Sequence, residues 1–212
     1  FEHRLYLPSI GLFIFFLVGL GNLCVQKRYF VAINVVLIAV FSGMAYQRNC
    51  VWQSQQSLWE DAIRKSPFKA RPYVNVGLAY YNQKKHDQAL KVLDRAIELG
   101  SENFLAYIDR AEVYKAMGRY EEAASDYKRA KRLNPNFPPL YYNWANLLFA
   151  QKNFYDAERF YDDAILRLDN YALAYFGKGN ALKEQKKYDD AITCYKMAIE
   201  FGGPKADLFN NL

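Results

Sequence analysis

The sequence predicts an all-α protein in which a two-helix transmembrane hairpin precedes a right-handed solenoid of helix hairpins. Two patterns favour this fold. Residues 1–50 contain two long stretches without charge, and small and aromatic residues recur every 34 residues through most of the rest of the chain. The 212 residues are 52% hydrophobic and 17% aromatic, which is enough to form a sizeable core and too much for a disordered chain.

The uncharged stretches, residues 5–25 and 29–47, predict the hairpin, because a helix of about 20 apolar residues crosses a bilayer. Lys27 and Arg28 lie between the stretches, and the positive-inside rule favours a cytoplasmic tip for them. The rest of the chain would then be extracytoplasmic. Alternatives are a buried globular helix for the first stretch, a signal peptide for the second, and the reverse topology, which Arg48 favours.

The remaining charge does not indicate a nucleic-acid-binding protein. The net charge is +6, and residues 51–212 hold 24 basic and 21 acidic side chains, which leaves a weak field there. Three scattered cysteines fit neither a disulfide framework nor a metal site. We expect no metal, no cofactor and no nucleic-acid partner. Because the chain begins at Phe1, we expect it to be part of a longer protein.

A period of 34 residues organises the chain after the predicted hairpin. Within each unit, apolar residues fall at helical spacing in two segments separated by a short polar turn, so each unit is predicted to be a helix hairpin. The recurring residues are Ala89, Ala123, Ala157 and Ala191; Ala96, Ala130, Ala164 and Ala198; Tyr73, Tyr107, Tyr141, Tyr175 and Phe209; and Tyr127, Tyr161 and Tyr195.

These series, with Gly77, Tyr80 and the closing Pro135, resemble the tetratricopeptide repeat. Arg110 and Lys178 depart from its pattern, which usually has leucine there. The resemblance implies a solenoid whose concave groove holds another chain. The predicted segments are a membrane hairpin (1–50), a capping half-repeat (51–69), repeats 1 to 4 (70–103, 104–137, 138–171 and 172–205) and the start of a fifth repeat (206–212).

The resemblance also implies that positions two, five, six, nine and twelve of each first helix line the groove. Asparagine there offers both a donor and an acceptor, so it can clamp the backbone of an extended peptide. This is similar to the asparagine ladder of the nucleocytoplasmic O-GlcNAc transferase. The alternative is that each is an ordinary solvated residue. The candidates are Asn75, Asp109, Asn143, Asn146, Asn180 and Asn211, with Tyr81, Tyr142, Phe149 and Phe176 as apolar contacts.

A motif at the start of the chain, E-x-R-x-Y-x-P-S-x-G over residues 2–11, points to a second resemblance. It is similar to a stretch in the transmembrane and tetratricopeptide-repeat proteins, relatives of the dolichol-dependent protein O-mannosyltransferases. That resemblance implies catalytic acids in a loop before residue 1, so no catalytic residue is assigned in this chain. Glu2, His3 and Arg4 are candidates for contact with a lipid phosphate, or else interfacial anchors.

The function predicted from the sequence is a membrane-anchored module that binds a protein or peptide. In the favoured interpretation, it recognises the acceptor for a polytopic glycosyltransferase that uses a polyprenyl-phosphate sugar, with the repeats in the periplasm or the lumen of the endoplasmic reticulum. The segment itself carries no phosphate loop, metal-ligand spacing or nucleophile motif. The alternatives are a non-enzymatic membrane scaffold for envelope or secretion proteins and an adaptor that faces the cytoplasm.

Overall fold

The computed structural model describes residues 27–51 and 54–202, and every regular element in these ranges is an α-helix. The all-α prediction is therefore confirmed for this part of the chain. The chain divides into two units, Phe1–Leu58 and Trp59–Leu212.

In the first unit, helix α1 spans Lys27–Val51 and covers the second of the two uncharged stretches. Its side chains Val35, Val36 and Ile38 are all more than half exposed. None of the helices in the described ranges has the combined length and apolar character that crossing a bilayer requires. The predicted transmembrane hairpin is therefore not confirmed, and its first stretch lies outside the described residues.

Helix α2 follows, and eight further helices then form four successive hairpins in the described part of the chain. First and second helices alternate, and repeats 1 to 4 denote these four hairpins. The bounds are α2 Gln55–Lys65; α3 Ala70–Asn82 and α4 His86–Leu99; α5 Phe104–Ala116 and α6 Tyr120–Leu133; α7 Pro138–Ala150 and α8 Phe154–Arg167; and α9 Ala172–Glu184 and α10 Tyr188–Glu200.

The core of each hairpin forms where its two helices cross. The recurring alanines of the second helices are almost inaccessible to solvent, at 0–2% exposure. Opposite them the first helix also carries a small residue: a Cβ on Gly77 would lie 2.6 Å from Leu93 Cγ, and one on Gly179 would lie 2.5 Å from Tyr195 Cε1. The small residues thus permit a close crossing, and the larger side chains fill the space beside it.

The turn inside each hairpin uses a left-handed backbone conformation at one position. The residue there is Gly118 in repeat 2, with φ of +75°, and a lysine in the other three repeats. Those lysines are Lys84, Lys152 and Lys186, with φ of 59°, 60° and 64°. A side chain with a Cβ is disfavoured in this region, so three of the four turns are mildly strained.

Successive hairpins stack in a way that brings their first helices together. Helix α3 packs on α5, α5 on α7 and α7 on α9, whereas no comparable contact joins two second helices in the described part of the chain. The second helices of repeats 1 to 3 instead each pack against the first helix of the next repeat. We infer that the first helices line the inner side of the array, because they are the ones that approach each other.

The junctions between repeats differ in chemistry. In repeat 2, Arg110 donates to both carboxylate oxygens of Asp126 at 2.8 Å and to Asp94 of repeat 1 at 2.7 Å. In repeat 4, Lys178 donates to Asp162 of repeat 3 at 2.6 Å. These two cations, which depart from the repeat pattern, therefore each bond an aspartate of the preceding repeat.

Between repeats 2 and 3 the junction is aromatic. Trp144, 8% exposed, takes the position that Arg110 has in repeat 2. Its ring stacks on Tyr127 of repeat 2, with 5.9 Å between the centroids, and lies 4.7 Å from the ring of Phe160.

Candidate functional site

The most distinctive polar contacts of the first helices lie at position nine. Asn146 Oδ1 accepts a hydrogen bond from the hydroxyl of Tyr161 at 2.6 Å, and Asn180 Oδ1 accepts one from Tyr195 at 2.8 Å. In repeat 2 the same position holds Glu112, which accepts from the hydroxyl of Tyr127. Three repeats therefore hold a half-buried acceptor with the phenol of their own second helix.

The phenols that hold these groups are themselves deeply buried. Tyr161 is 2% exposed and Tyr195 1%. Burial is the main cause that raises the pKa of both hydroxyls, so each stays protonated and able to donate. Repeat 1 has Leu93 in place of the tyrosine and Leu78 at position nine, so both members of the pair are apolar there.

Position six carries the other predicted polar series, and its members differ in what they contact. Asn75 donates from Nδ2 to the backbone carbonyl of Arg71 at 3.0 Å, within its own helix. Asn143 is half-buried. Repeat 4 has Gly177 there, where a Cβ would lie 2.4 Å from the ring of Tyr161.

Asp109, at position six of repeat 2, is electrostatically unusual. Burial, followed by repulsion from Glu112 on the next turn of the helix, raises the pKa of its carboxyl to about 7. Glu112 itself is bonded to Lys115, with Nζ and Oε2 2.6 Å apart. In the described part of the chain no cation pairs with Asp109, and its raised pKa lies near neutral pH.

The predicted apolar contacts are half-buried aromatic rings that pack on other rings. Tyr142 lies 6.0 Å from the ring of Tyr161 and 5.5 Å from that of Tyr171, measured between centroids. Phe149 packs edge-on against Phe154 at 5.2 Å. These rings pack on their neighbours and keep part of their surface exposed, which suits contact with a partner.

The remaining two rings are arranged similarly. Phe176 lies 5.9 Å from the ring of Tyr195, and Tyr81 lies 6.0 Å from that of His86. Burial, with a smaller contribution from the charge of Glu112, raises the pKa of Tyr81. Tyr81 therefore lies within the electrostatic reach of the acidic groups of repeat 2.

Comparison with protein families identifies the repeats. Family profiles described as "Tetratricopeptide repeat" match residues 68–135, 114–175 and 172–201. Together they extend over residues 68–201, more than half of the chain. The chain belongs to the tetratricopeptide-repeat family. The resemblance deduced from the residues is therefore confirmed.

Among curated relatives, the chain is 28% identical to the human "Protein O-mannosyl-transferase TMTC3" over an alignment of 230 positions. The match covers 100% of this chain and 25% of the relative. The Drosophila melanogaster Tmtc3 is also 28% identical, over 77% of this chain and 20% of its own length. The chain thus spans about a quarter of the length of these relatives. Its tetratricopeptide repeats are homologous to theirs.

Solved structures confirm the repeat fold. The pilF protein of Pseudomonas aeruginosa superposes with a TM-score of 0.65 over 80% of this chain and 77% of its own, at 18% identity. YrrB, described as a tetratricopeptide-repeat protein with an unusual peptide-binding site, gives a TM-score of 0.57 at 25% identity, over 72% of this chain and 79% of its own.

Nine predicted site residues lie on the first helices of the tetratricopeptide scaffold, and all nine are half-buried: Asn75, Tyr81, Asp109, Tyr142, Asn143, Asn146, Phe149, Phe176 and Asn180. Four predicted residues, Glu2, His3, Arg4 and Asn211, lie outside the described residues. In the described part of the chain, no group of histidine, cysteine and carboxylate side chains could hold a metal ion.

Sequence reasoning missed Glu112 and the tyrosines that hold position nine. A signal was present: the position-nine residue and its tyrosine are 15 residues apart in Glu112 and Tyr127, and again in Asn146 and Tyr161. From the sequence alone, a periodic aromatic on an apolar face predicts packing rather than a hydrogen bond, so the tyrosine series gives no direct sign of its polar partner.

Proposed function

We propose that the repeats bind an extended segment of a partner protein along the face formed by their first helices. The observation that carries this proposal is the pair of half-buried hydrogen bonds from tyrosine hydroxyls that fix Asn146 and Asn180, because amides held in place bind a peptide backbone at a low entropic cost. The exposed parts of Tyr142 and Phe176 would add apolar contacts beside the amides.

A double substitution tests the binding face. Replacing Tyr142 and Asn143 with alanine should weaken capture of a labelled unfolded protein about tenfold while leaving the helical circular dichroism intact. The matched control is Tyr155→Ala with Asn136→Ala, which removes the same side-chain types from exposed positions in α8 and in the loop before α7. Equal capture by both double variants would overturn the proposal.

We further propose that residues 1–51 anchor the repeats to a membrane on the extracytoplasmic side. Two observations support the anchor. Residues 5–25 and 29–47 carry no charge, and helix α1 exposes Val35, Val36 and Ile38, which a lipid environment would cover. The membrane bilayer would thus be a second partner of this chain.

The orientation can be tested by thiol labelling. Cys194 is buried, and that burial raises the pKa of its thiol, so it is a poor target. Ser125→Cys places a thiol at an exposed position of α6. In sealed vesicles whose cytoplasmic face is outward, an impermeant maleimide should label this thiol only after detergent is added. Labelling of intact vesicles would show that the repeats face the cytoplasm.

For the complete protein, we propose sugar transfer from a polyprenyl-phosphate donor, with the repeats recognising the acceptor. The similarity to O-mannosyl-transferases over all of this chain supports the proposal, and the catalytic groups would lie outside residues 1–212. Transfer of radiolabelled mannose from its lipid-linked donor to a captured acceptor tests it. Capture without transfer by the complete protein would favour a non-enzymatic membrane scaffold instead.

A further inference from the structure

We propose that Tyr161 and Tyr195 give the binding face a chemical polarity: the amides of repeats 3 and 4 offer N–H donors to carbonyl oxygens of the bound peptide, while repeat 2 offers a carboxylate to a cationic side chain. The occupant would be an extended peptide with a lysine or arginine over repeat 2. This inference rests on the proposed function and specifies the class of peptide bound.

The amides of Asn146 and Asn180 are oriented by their hydrogen bonds. An asparagine amide carries its oxygen and nitrogen on opposite sides, so a side chain whose Oδ1 faces a phenol directs its Nδ2 away from it. Asn146 Oδ1 is 2.6 Å from the Tyr161 hydroxyl and Asn180 Oδ1 is 2.8 Å from that of Tyr195. Within the described residues, the structure shows no protein partner for either Nδ2. The half-buried face there presents N–H groups that remain to be satisfied.

Close packing holds the phenol rings of Tyr161 and Tyr195 in place. A Cβ on Gly177 would lie 2.4 Å from the ring of Tyr161, and one on Gly179 would lie 2.5 Å from that of Tyr195, so these rings pack directly on the backbone of α9. A side chain packed this closely has few alternative rotamers. The two amides are therefore fixed in one orientation before any peptide binds.

Repeat 2 differs from repeats 3 and 4 because its first helix presents carboxylates instead of amides. Its position nine holds Glu112, which has only acceptor oxygens and is already bonded to Lys115 and Tyr127. The half-buried Asp109 on the same helix has no hydrogen bond or ion pair in the described structure. A cationic side chain of a bound peptide would pair with the Asp109 carboxylate and offset the repulsion between Asp109 and Glu112. In repeats 3 and 4, by contrast, the predicted groove positions carry no acidic side chain.

The test uses the full chain in detergent micelles and fluorescent peptides of twelve residues without secondary structure, which carry one lysine, or leucine or glutamate in its place. The lysine peptide should bind about tenfold more tightly than the leucine peptide, and Asp109→Asn should abolish that preference. An equal affinity for the lysine and leucine peptides would overturn the charge assignment. Failure of all peptides to bind would instead overturn the proposed function.

The donor assignment is tested by Asn146→Asp, which keeps an acceptor for Tyr161 but replaces Nδ2 with oxygen. The leucine peptide, which carries no cation, should bind this variant about tenfold more weakly, because a peptide carbonyl would then face a carboxylate. Asn136→Asp is the control, since it adds the same charge in an exposed loop outside the first helices. Unchanged affinity in Asn146→Asp would contradict the assignment.

The positioning role of the phenol is separated from a structural one by Tyr161→Phe. Replacing peptide amides with esters weakens the carbonyl acceptors, so wild-type protein should lose affinity for an ester-substituted peptide. Tyr161→Phe should bind the amide peptide roughly threefold more weakly and show a smaller loss on ester substitution. A lower melting temperature with unchanged affinity and ester sensitivity would mean that the phenol only stabilises the fold, and would overturn the inference.

Discussion

Repeats 2 and 3 place different chemistry on the same pair of helices. Their first helices each have 13 residues and their second helices 14. At position seven, repeat 2 has Arg110 and repeat 3 has Trp144, and at position 23 the residues are Asp126 and Phe160. The two positions change together, from an ion pair to two aromatic rings whose centroids lie 4.7 Å apart.

This paired change shows that the same helix hairpin accommodates either a charged pair or an aromatic pair, provided that the two facing residues match each other. A half-buried ion pair and an apolar contact of similar size can give similar stability, but removing one charge from the pair leaves the other unsatisfied. The chemistry of a junction is therefore a property of the facing residues taken together. Exchanging single residues between repeats 2 and 3 should be costly even though both are suitable in their own repeat.

The largest effect is expected for Trp144→Ala. Trp144 contacts the rings of both Tyr127 and Phe160, so its truncation should lower the free energy of unfolding by about 3–5 kcal/mol. Urea unfolding followed by circular dichroism measures this value. Tyr155→Ala is the matched control, because that ring is 72% exposed and should cost less than about 1 kcal/mol. Similar losses in both variants would show that the aromatic junction is not part of the core.

Next in size is Arg110→Met, which should cost about 2–4 kcal/mol because Asp126, only 5% exposed, would lose its cation. The double variant with Asp126→Leu imitates the apolar junction of repeat 3. It should recover most of the loss in the same urea experiment. If the double variant is less stable than Arg110→Met, an apolar pair cannot replace the ion pair at these two positions.

A smaller effect is expected at position six, where repeat 2 has Asp109 and repeat 3 has Asn143. The pKa of Asp109 is raised from 3.8 to about 7, so the folded state binds its proton more tightly and stability should fall as pH rises between these values. Asp109→Asn should remove that decline and stabilise the protein by about 1–2 kcal/mol at pH 8, after allowance for partial exposure. Thermal unfolding between pH 4 and pH 8 measures both.

The opposite result would also be informative. If the stability of the Asp109→Asn variant keeps the pH dependence of the wild type in that range, another group causes the decline. Asn143→Asp, the reverse exchange in repeat 3, should introduce a dependence of the same sign if repeat 3 desolvates this position as repeat 2 does.

The smallest effect is expected in the turns. Repeat 2 has Gly118 at the left-handed position, and repeat 3 has Lys152 with φ of 60°. Lys152→Gly should stabilise the protein by about 0.5 kcal/mol, because the relief of strain exceeds the added entropy of the unfolded chain. Gly118→Lys should have the opposite effect. Equal stabilities of wild type and both variants would mean that the turn tolerates a Cβ without strain.

The sequence alone determined the helix hairpins and their repetition. Each hairpin depends on small residues at its helix crossing and an apolar stripe at helical spacing, and both are visible as a 34-residue period because they concern neighbouring segments of chain. The same information was insufficient for the turns, since lysines give no sign of a positive φ. The membrane hairpin and the groove residues stay predictions.

Only the tertiary structure decided which polar side chains are held and which remain available. Asn143 and Asn146 look equivalent in the sequence, yet Asn146 is fixed by Tyr161 and Asn143 is not. Asp109 and Glu112 are both acids on one helix face, but the cation Lys115 bonds Glu112 alone. The reason is physical: close packing can be specified by residue size at a fixed spacing, whereas a hydrogen bond or a pKa depends on distances and burial that exist only in the folded chain.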